Sequence, residues 1–180
     1  MLQAAEEGHI VNTSSVNGFW GSLGPNVPHT AYVTAKFAVK GFTEALITDL
    51  RVNAPHIRCS VVMPGHVGTP IIGNSRKVLT GRTGDTPGPE DIAAARARVA
   101  RMGRDPDELS DEAVLAMAED HRRRFVEQAP TTAAEAATII LEGVKANRWR
   151  ILVGHDAEVI DRLVREDPEA AYEEAFFQRL

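Results

Sequence analysis

The 180 residues carry 20 Lys and Arg against 25 Asp and Glu, a net charge of −5, and 43% of them are apolar. That is the composition of an ordinary globular domain with a real core, and its acidic balance argues against nucleic acid or an anionic membrane as a main partner. No apolar run reaches the length of a membrane span, and the N-terminus lacks the basic start and apolar centre of a signal peptide. The sequence therefore reads as one cytoplasmic domain over 1–180.

Met1 to Glu7 reads as the last turns of a helix stopped by Gly8. His9 to Ser14 is a short β-rich run, hence a strand. Ser15 to Pro28 holds Gly18, Gly21, Gly24, Pro25 and Pro28, the composition of a loop. From Thr30 to Asn53, Ala35, Val39, Phe42, Leu46 and Leu50 recur at helical spacing and form an expected core stripe. Gly41 costs this helix about 1 kcal/mol against alanine, so a close helix contact is expected there.

Ile57 to Met63 is a second strand, and the unbroken Val61-Val62-Met63 suggests burial on both faces. The one cysteine, Cys59, lies in this run and reads as a buried, inert thiol. Pro64 to Pro70 forms a loop at the strand's C-terminal end. Residues 71–130 are a variable region, with Asn74 to Pro89 expected as a mobile loop. Pro89-Glu90-Asp91 opens a helix to about Arg101, and Ser110 caps another to about Gln128. Thr132 and Glu135 stand in the capping-box arrangement at the start of a helix. Trp149 to Val153 is a third strand, Ala157 to Arg165 a helix, and Asp167-Pro168 opens a last helical segment to Leu180. Strands alternating with helices in this way predict a parallel α/β sheet with crossover helices.

The chemistry centres on Tyr32 and Lys36. In a helix they share a face one turn apart, about 5–6 Å between their side-chain bases. A phenol has an ordinary pKa near 10, and a fixed ammonium nearby favours the phenolate. At about 4 Å and an effective dielectric near 20 the attraction is about 4 kcal/mol before desolvation is subtracted. Such a pair can exchange protons with a substrate oxygen near neutral pH. In isolation the spacing equally suits two ordinary residues on a half-exposed helix. What flanks it is Asn12-Thr13-Ser14-Ser15 at the end of one strand and Pro64-Gly65-xxx-Thr69 at the end of the next. Ligands of parallel sheets bind beyond the C-terminal ends of the strands. The three groups are therefore expected at one edge.

This ordered set, from His9 to Thr69, resembles the short-chain dehydrogenase/reductase family; Ala133 to Val153 is similar in kind but weaker. The resemblance implies a partial Rossmann-type, doubly wound parallel sheet. It also implies hydride transfer between NAD or NADP and an alcohol or ketone. By resemblance Tyr32 is the general acid/base, Lys36 lowers its pKa and binds the nicotinamide ribose, and Ser15 holds the substrate oxygen. Asn12 ends the strand that presents that serine, and Pro64, Gly65, Val67 and Thr69 run along the nicotinamide. Residues 71–130 would stand on the substrate side, and a dimer or tetramer would form through the Tyr32 helix. The loop from Phe19 to His29 is slightly longer than the family's.

The family's N-terminal strand-helix unit with a glycine-rich turn is not found in this sequence, so the chain matches the C-terminal part of such an enzyme. The expectation is an inactive isolated chain with an exposed apolar edge on the Ser14 strand. The alternative reading is a non-catalytic remnant or interaction module with the second half of the fold. A hydrolase reading lacks the G-x-S-x-G elbow. The six histidines lack metal-ligand spacing, so no metal is expected, although His66 lies in the nicotinamide loop. Arg122 to Arg124 and Arg96, Arg98 and Arg101 are interleaved with acids, as on a solvated helix face. Phe19-Trp20 and Ile71-Ile72 suit either an apolar substrate pocket or loop anchoring.

Overall fold

The computed structural model describes residues 6–24, 27–81 and 86–180. In chain order the elements are β1 (Gly8–Thr13), α1 (Thr30–Asn53), β2 (Ile57–Pro64), α2 (Ile71–Thr80), α3 (Pro89–Arg101), α4 (Asp111–Glu127), α5 (Ala133–Lys145), β3 (Arg150–Val153), α6 (His155–Glu166) and α7 (Glu174–Phe177). The chain divides into two compact units, residues 1–67 with 130–180, and residues 68–129.

The first unit is built on a parallel sheet in the order β1-β2-β3. Parallel neighbours cannot be joined by a tight turn, so the chain crosses over through helices. Thr13 pairs with Val62 and Pro64 with Val153, which brings the C-terminal ends of all three strands to one edge. Val61, Val62 and Met63 are fully buried. Strand side chains alternate between faces. Val62 packs with Ala136, Ile151 and Val153 under α5, and the Cys59 thiol, one face over, donates to the Thr43 carbonyl of α1. The sheet is thus covered on both faces, the doubly wound Rossmann-type arrangement. Gly143 lets α5 approach β3, because a Cβ there would meet three side-chain carbons of Ile151. The capping box of Thr132 and Glu135 closes the start of α5 as expected.

Several expectations change. The helix over Met1–Glu7 lies outside the described residues as far as Ala5, and Gly8 begins β1 instead of ending a helix. The core seam of α1 is rotated from the predicted stripe. Thr43 is its one fully buried residue, with Val39, Leu46 and Leu50 half-buried, while Ala35 and Phe42 are exposed, Phe42 at 62%. Apolar spacing identified the helix but could not say which of two apolar faces meets the sheet. Nothing lies within 4 Å of a Cβ at Gly41, so the close contact expected there is absent among the described residues. The final segment is a short turn at Ala170–Tyr172 followed by α7, not a continuous helix.

In the second unit, the expected loop from Asn74 is helical as far as Thr80, and Gly81, with φ +67°, ends α2 in the left-handed conformation glycine favours. Residues 82–85 lie outside the described ones. Arg76 pairs with Asp91 at the start of α3. Ser110 caps α4 by accepting from the Ala113 amide at 3.2 Å. Ala95, Val99 and Val114 form the core of this unit, with Ile92, Leu109 and Met117 against them. The arginine run is neutralised by acids one turn back, Arg122 by Glu119 and Arg124 by Asp120.

Candidate active site

β1 delivers Ser14 and Ser15 to the sheet's C-terminal edge, and both are buried. The Ser14 amide extends the ladder by donating to the Val62 carbonyl at 2.8 Å. Its hydroxyl turns the other way and donates to the Lys36 carbonyl at 2.8 Å. Ser15 is extended and caps the short turn Val16–Gly18, its Oγ accepting from the Asn17 amide at 3.2 Å. The same Oγ lies 3.5 Å from the Pro64 carbonyl, so the ends of β1 and β2 meet at this hydroxyl.

α1 supplies the other two groups. Tyr32 is half-buried, its ring edge-on to His29 with centroids 5.0 Å apart, and its hydroxyl has no hydrogen-bond partner among the described residues. The Lys36 ammonium lies 5.5 Å from the centre of the Tyr32 ring and donates to the Thr13 carbonyl at 3.1 Å. Burial pushes Lys36 below the usual lysine range. One N–H on Thr13 leaves two of its three donors for a ligand. The structure therefore brings Ser15, Lys36 and the Pro64 carbonyl to one strand edge, with Tyr32 one helical turn from Lys36.

The remaining candidates take other places. Asn12 donates its amide to the Thr43 hydroxyl at 3.0 Å, which ties β1 to α1. Gly65 donates its amide to the Val153 carbonyl at 3.0 Å. The His66 amide donates to the Asp156 carboxylate at 2.6 Å. The Val67 side chain packs with the Val62 and Val153 core, and its main chain belongs to a short strand paired with Thr131–Thr132. Thr69 belongs to the second unit. There, with Pro70, Ile72, Phe125 and Val126, it lines a largely apolar cavity of about 340 Å³.

Two contributors, Gly18 and Asp156, escaped the sequence reading, and for a third, Trp20, the structure chooses between the two roles left open. Gly18 has Ser14 Oγ, the Lys36 carbonyl and Met63 Cε where its Cβ would be, so only glycine lets the serine loop approach α1. Asp156 carries the Gly65–His66 turn from below, and a Cβ on Gly65 would collide with its carboxylate. Its signal was an acid in the first turn of α6. Trp20 is buried, with its indole N–H donating to the Ala171 carbonyl at 2.8 Å, so this residue anchors the loop and does not line a pocket.

The family model described as short chain dehydrogenase matches residues 1–79. SadH of Mycobacterium tuberculosis, named as an oxidoreductase, is 31% identical over 162 residues, covering 90% of this chain and 45% of that protein. The 3-ketodihydrosphingosine reductase of Bacteroides thetaiotaomicron is 36% identical over 86 residues, 47% of this chain and 29% of its own length. A crystal structure of a short-chain dehydrogenase/reductase from Burkholderia phymatum in complex with NAD superposes with a TM-score of 0.61 at 27% identity. That alignment covers 94% of this chain and 50% of the other. The chain spans about half the length of SadH and of the Burkholderia protein, and through the sheet, the Tyr32 helix and the loop after β2 it is similar to the short-chain dehydrogenase/reductase family.

Proposed function

We propose that this chain carries the proton-transfer side of an oxidoreductase that interconverts an alcohol and a ketone with NAD or NADP. The Tyr32 phenol carries the reading. It is unpartnered among the described residues, one helical turn from a partly desolvated Lys36, and on the helix that Ser14 fastens to the strand edge.

The Lys36 ammonium, with two free N–H groups at the strand edge, fits the nicotinamide-ribose end of the cofactor. When bound, that group gives or takes the hydride. In reduction Tyr32 would give its proton to the substrate carbonyl oxygen and be left as phenolate, and in oxidation the phenolate would take the proton of the substrate hydroxyl. The Lys36 ammonium stabilises negative charge on the phenol as the proton leaves. The Ser15 hydroxyl, held by the Asn17 amide and facing the Pro64 carbonyl, reorients to donate to the substrate oxygen as charge develops there. Within the second unit, the largely apolar cavity between α2 and α4 suits a hydrocarbon group.

In the full-length enzyme, Tyr32→Phe should lower turnover about 10²- to 10⁴-fold, the usual worth of a positioned acid/base. Cofactor affinity should stay near the parent value. Near-normal turnover in that variant removes the role. A second reading, a non-catalytic module, draws on the chain's coverage of only about half of its relatives. Calorimetric titration of the 180-residue chain with NADH and NADPH tests the second. The module reading expects no micromolar binding, and micromolar binding rejects it.

A further inference from the structure

We infer that the C-terminal segment from Ala170 to Phe177 is a clamp on the loop that follows Ser15, with Tyr172 as its positioning residue. The loop's importance for substrate rests on the function proposed above; the clamp rests on contacts alone.

The loop is braced from within by Asn17. This side chain is 2% exposed, and its amide donates to the Trp20 and Ser22 carbonyls at 3.0 and 2.6 Å. That makes Ser15 to Ser22 one stiff piece, but it does not say where the piece points. Its orientation comes from the other end of the chain. Trp20, 4% exposed, donates its indole N–H to the Ala171 carbonyl, and its ring lies 5.3 Å from Phe176 and 5.6 Å from Phe177. Phe19 lies under the Arg150 guanidinium, 5.4 Å from ring centre to carbon. The Gly21 amide donates to the Tyr172 hydroxyl at 3.1 Å. Both hydrogen bonds join residues 151 apart in sequence, so no local turn preference can replace them.

Within the clamp the two aromatic contributions differ. Trp20 is core, and its loss damages stability. Tyr172 is 56% exposed, and its hydroxyl meets the one loop amide next to that core. A Cβ on Gly21 would stand 3.3 Å from that hydroxyl, so the phenol also limits what can sit at the loop's tip. Tyr172 therefore acts through the loop and sets the position of residues 19–22 relative to Ser15.

The experiment compares parent, Tyr172→Phe and Trp20→Phe. Amide hydrogen exchange is read by NMR in the chain, and steady-state kinetics in the full-length enzyme. Tyr172→Phe should speed exchange at Gly21 about two- to twelvefold, the equivalent of one net hydrogen bond. The melting temperature should fall by no more than a few degrees. The KM for the carbonyl substrate should rise severalfold with kcat and cofactor affinity at parent values, a split that a merely structural residue would not give. Trp20→Phe should lower the melting temperature. Unchanged Gly21 exchange in Tyr172→Phe overturns the clamp, and so does faster exchange with an unchanged KM. Should the parent turn over no carbonyl substrate, the functional reading fails by itself, and Gly21 exchange alone decides the clamp.

Discussion

Gly18→Ala is the sharpest test of how the site is held together. Gly18 is buried in the turn after Ser15, and the helix backbone at Lys36 closes over it. Its φ lies outside the left-handed region, so alanine can adopt the backbone, and a stiffer unfolded chain offers about 0.4–1 kcal/mol in return. The methyl must displace Ser14 Oγ, then stands 3.0 Å from the Lys36 carbonyl and 3.2 Å from Met63 Cε. Overpacking of this kind costs about 1–3 kcal/mol. Breaking the Ser14–Lys36 hydrogen bond adds about 0.5–1.5 kcal/mol. The balance is a loss of about 2 kcal/mol. Gly41→Ala is the control on the same helix: with nothing within 4 Å, it should stabilise by about 0.5–1 kcal/mol. Urea unfolding followed by circular dichroism reads both as midpoint shifts of opposite sign at constant slope. A neutral Gly18→Ala would mean that the Ser14–Lys36 junction is loose and that β1 does not position the helix carrying Tyr32.

Other outcomes follow from the same contacts. His9 is held below its ordinary pKa by burial and by the Arg58 charge, and it hydrogen-bonds Ser60 at 2.7 Å. Its contribution to stability should be complete above pH 6.5 and fade as pH falls from 6.5 through the lower folded value, because the unfolded chain then binds more protons. His9→Gln should flatten the pH profile of the urea midpoint in that window, and an unchanged profile refutes it. Asp161 is held below the usual carboxylate range by hydrogen bonds and charges from Arg150 and Arg165, against the opposing effect of burial. Asp161→Asn should cost about 1–3 kcal/mol, since the half-buried Arg150 loses its charge partner. That loss should shrink as pH falls below 3.8 and the parent carboxylate protonates. Asp156→Ala should speed exchange of the His66 amide. Equal exchange in both proteins would deny Asp156 its hold on the loop.

The alternation of strand and helix, the caps at Ser110 and Thr132 and the ends of α1 and β2 were legible because each depends on neighbours within a few residues. The order Ser15, Tyr32, Lys36, Pro64-Gly65 was legible because it is a pattern of residue types. What escaped depends on distant partners. Phe42 and Val39 have the same hydropathy signal, and only the sheet decides that Val39 turns inward. Trp20 suits pocket lining and loop anchoring equally until Ala171 and Phe176 arrive from the far end of the chain. Gly81 marked the end of α2, but the Gly, Thr and Arg content around it resembled loop composition more strongly than that single signal.

The rotation of α1 leaves a surface that the proposed dimer or tetramer would use. The helix that holds Tyr32 and Lys36 grips the sheet along Lys36, Val39, Thr43 and Leu50, while Phe37, Phe42 and Val52 lie exposed on it. Gly41 sits beside Phe42 with open space around it, which lets another helix come close. In a two-fold pairing each phenylalanine counts twice. Covering a Phe is worth about 1.5–3 kcal/mol, so Phe42→Ser in both copies should weaken association by about 3–6 kcal/mol, or two to four decades in the dissociation constant. Sedimentation velocity across a concentration series reads that change directly. Gly41→Ala should then weaken association while stabilising the separated chain, a pair of opposite signs that only a closely approached face produces. A Phe42→Ser protein that sediments as its parent does at every concentration refutes pairing through α1.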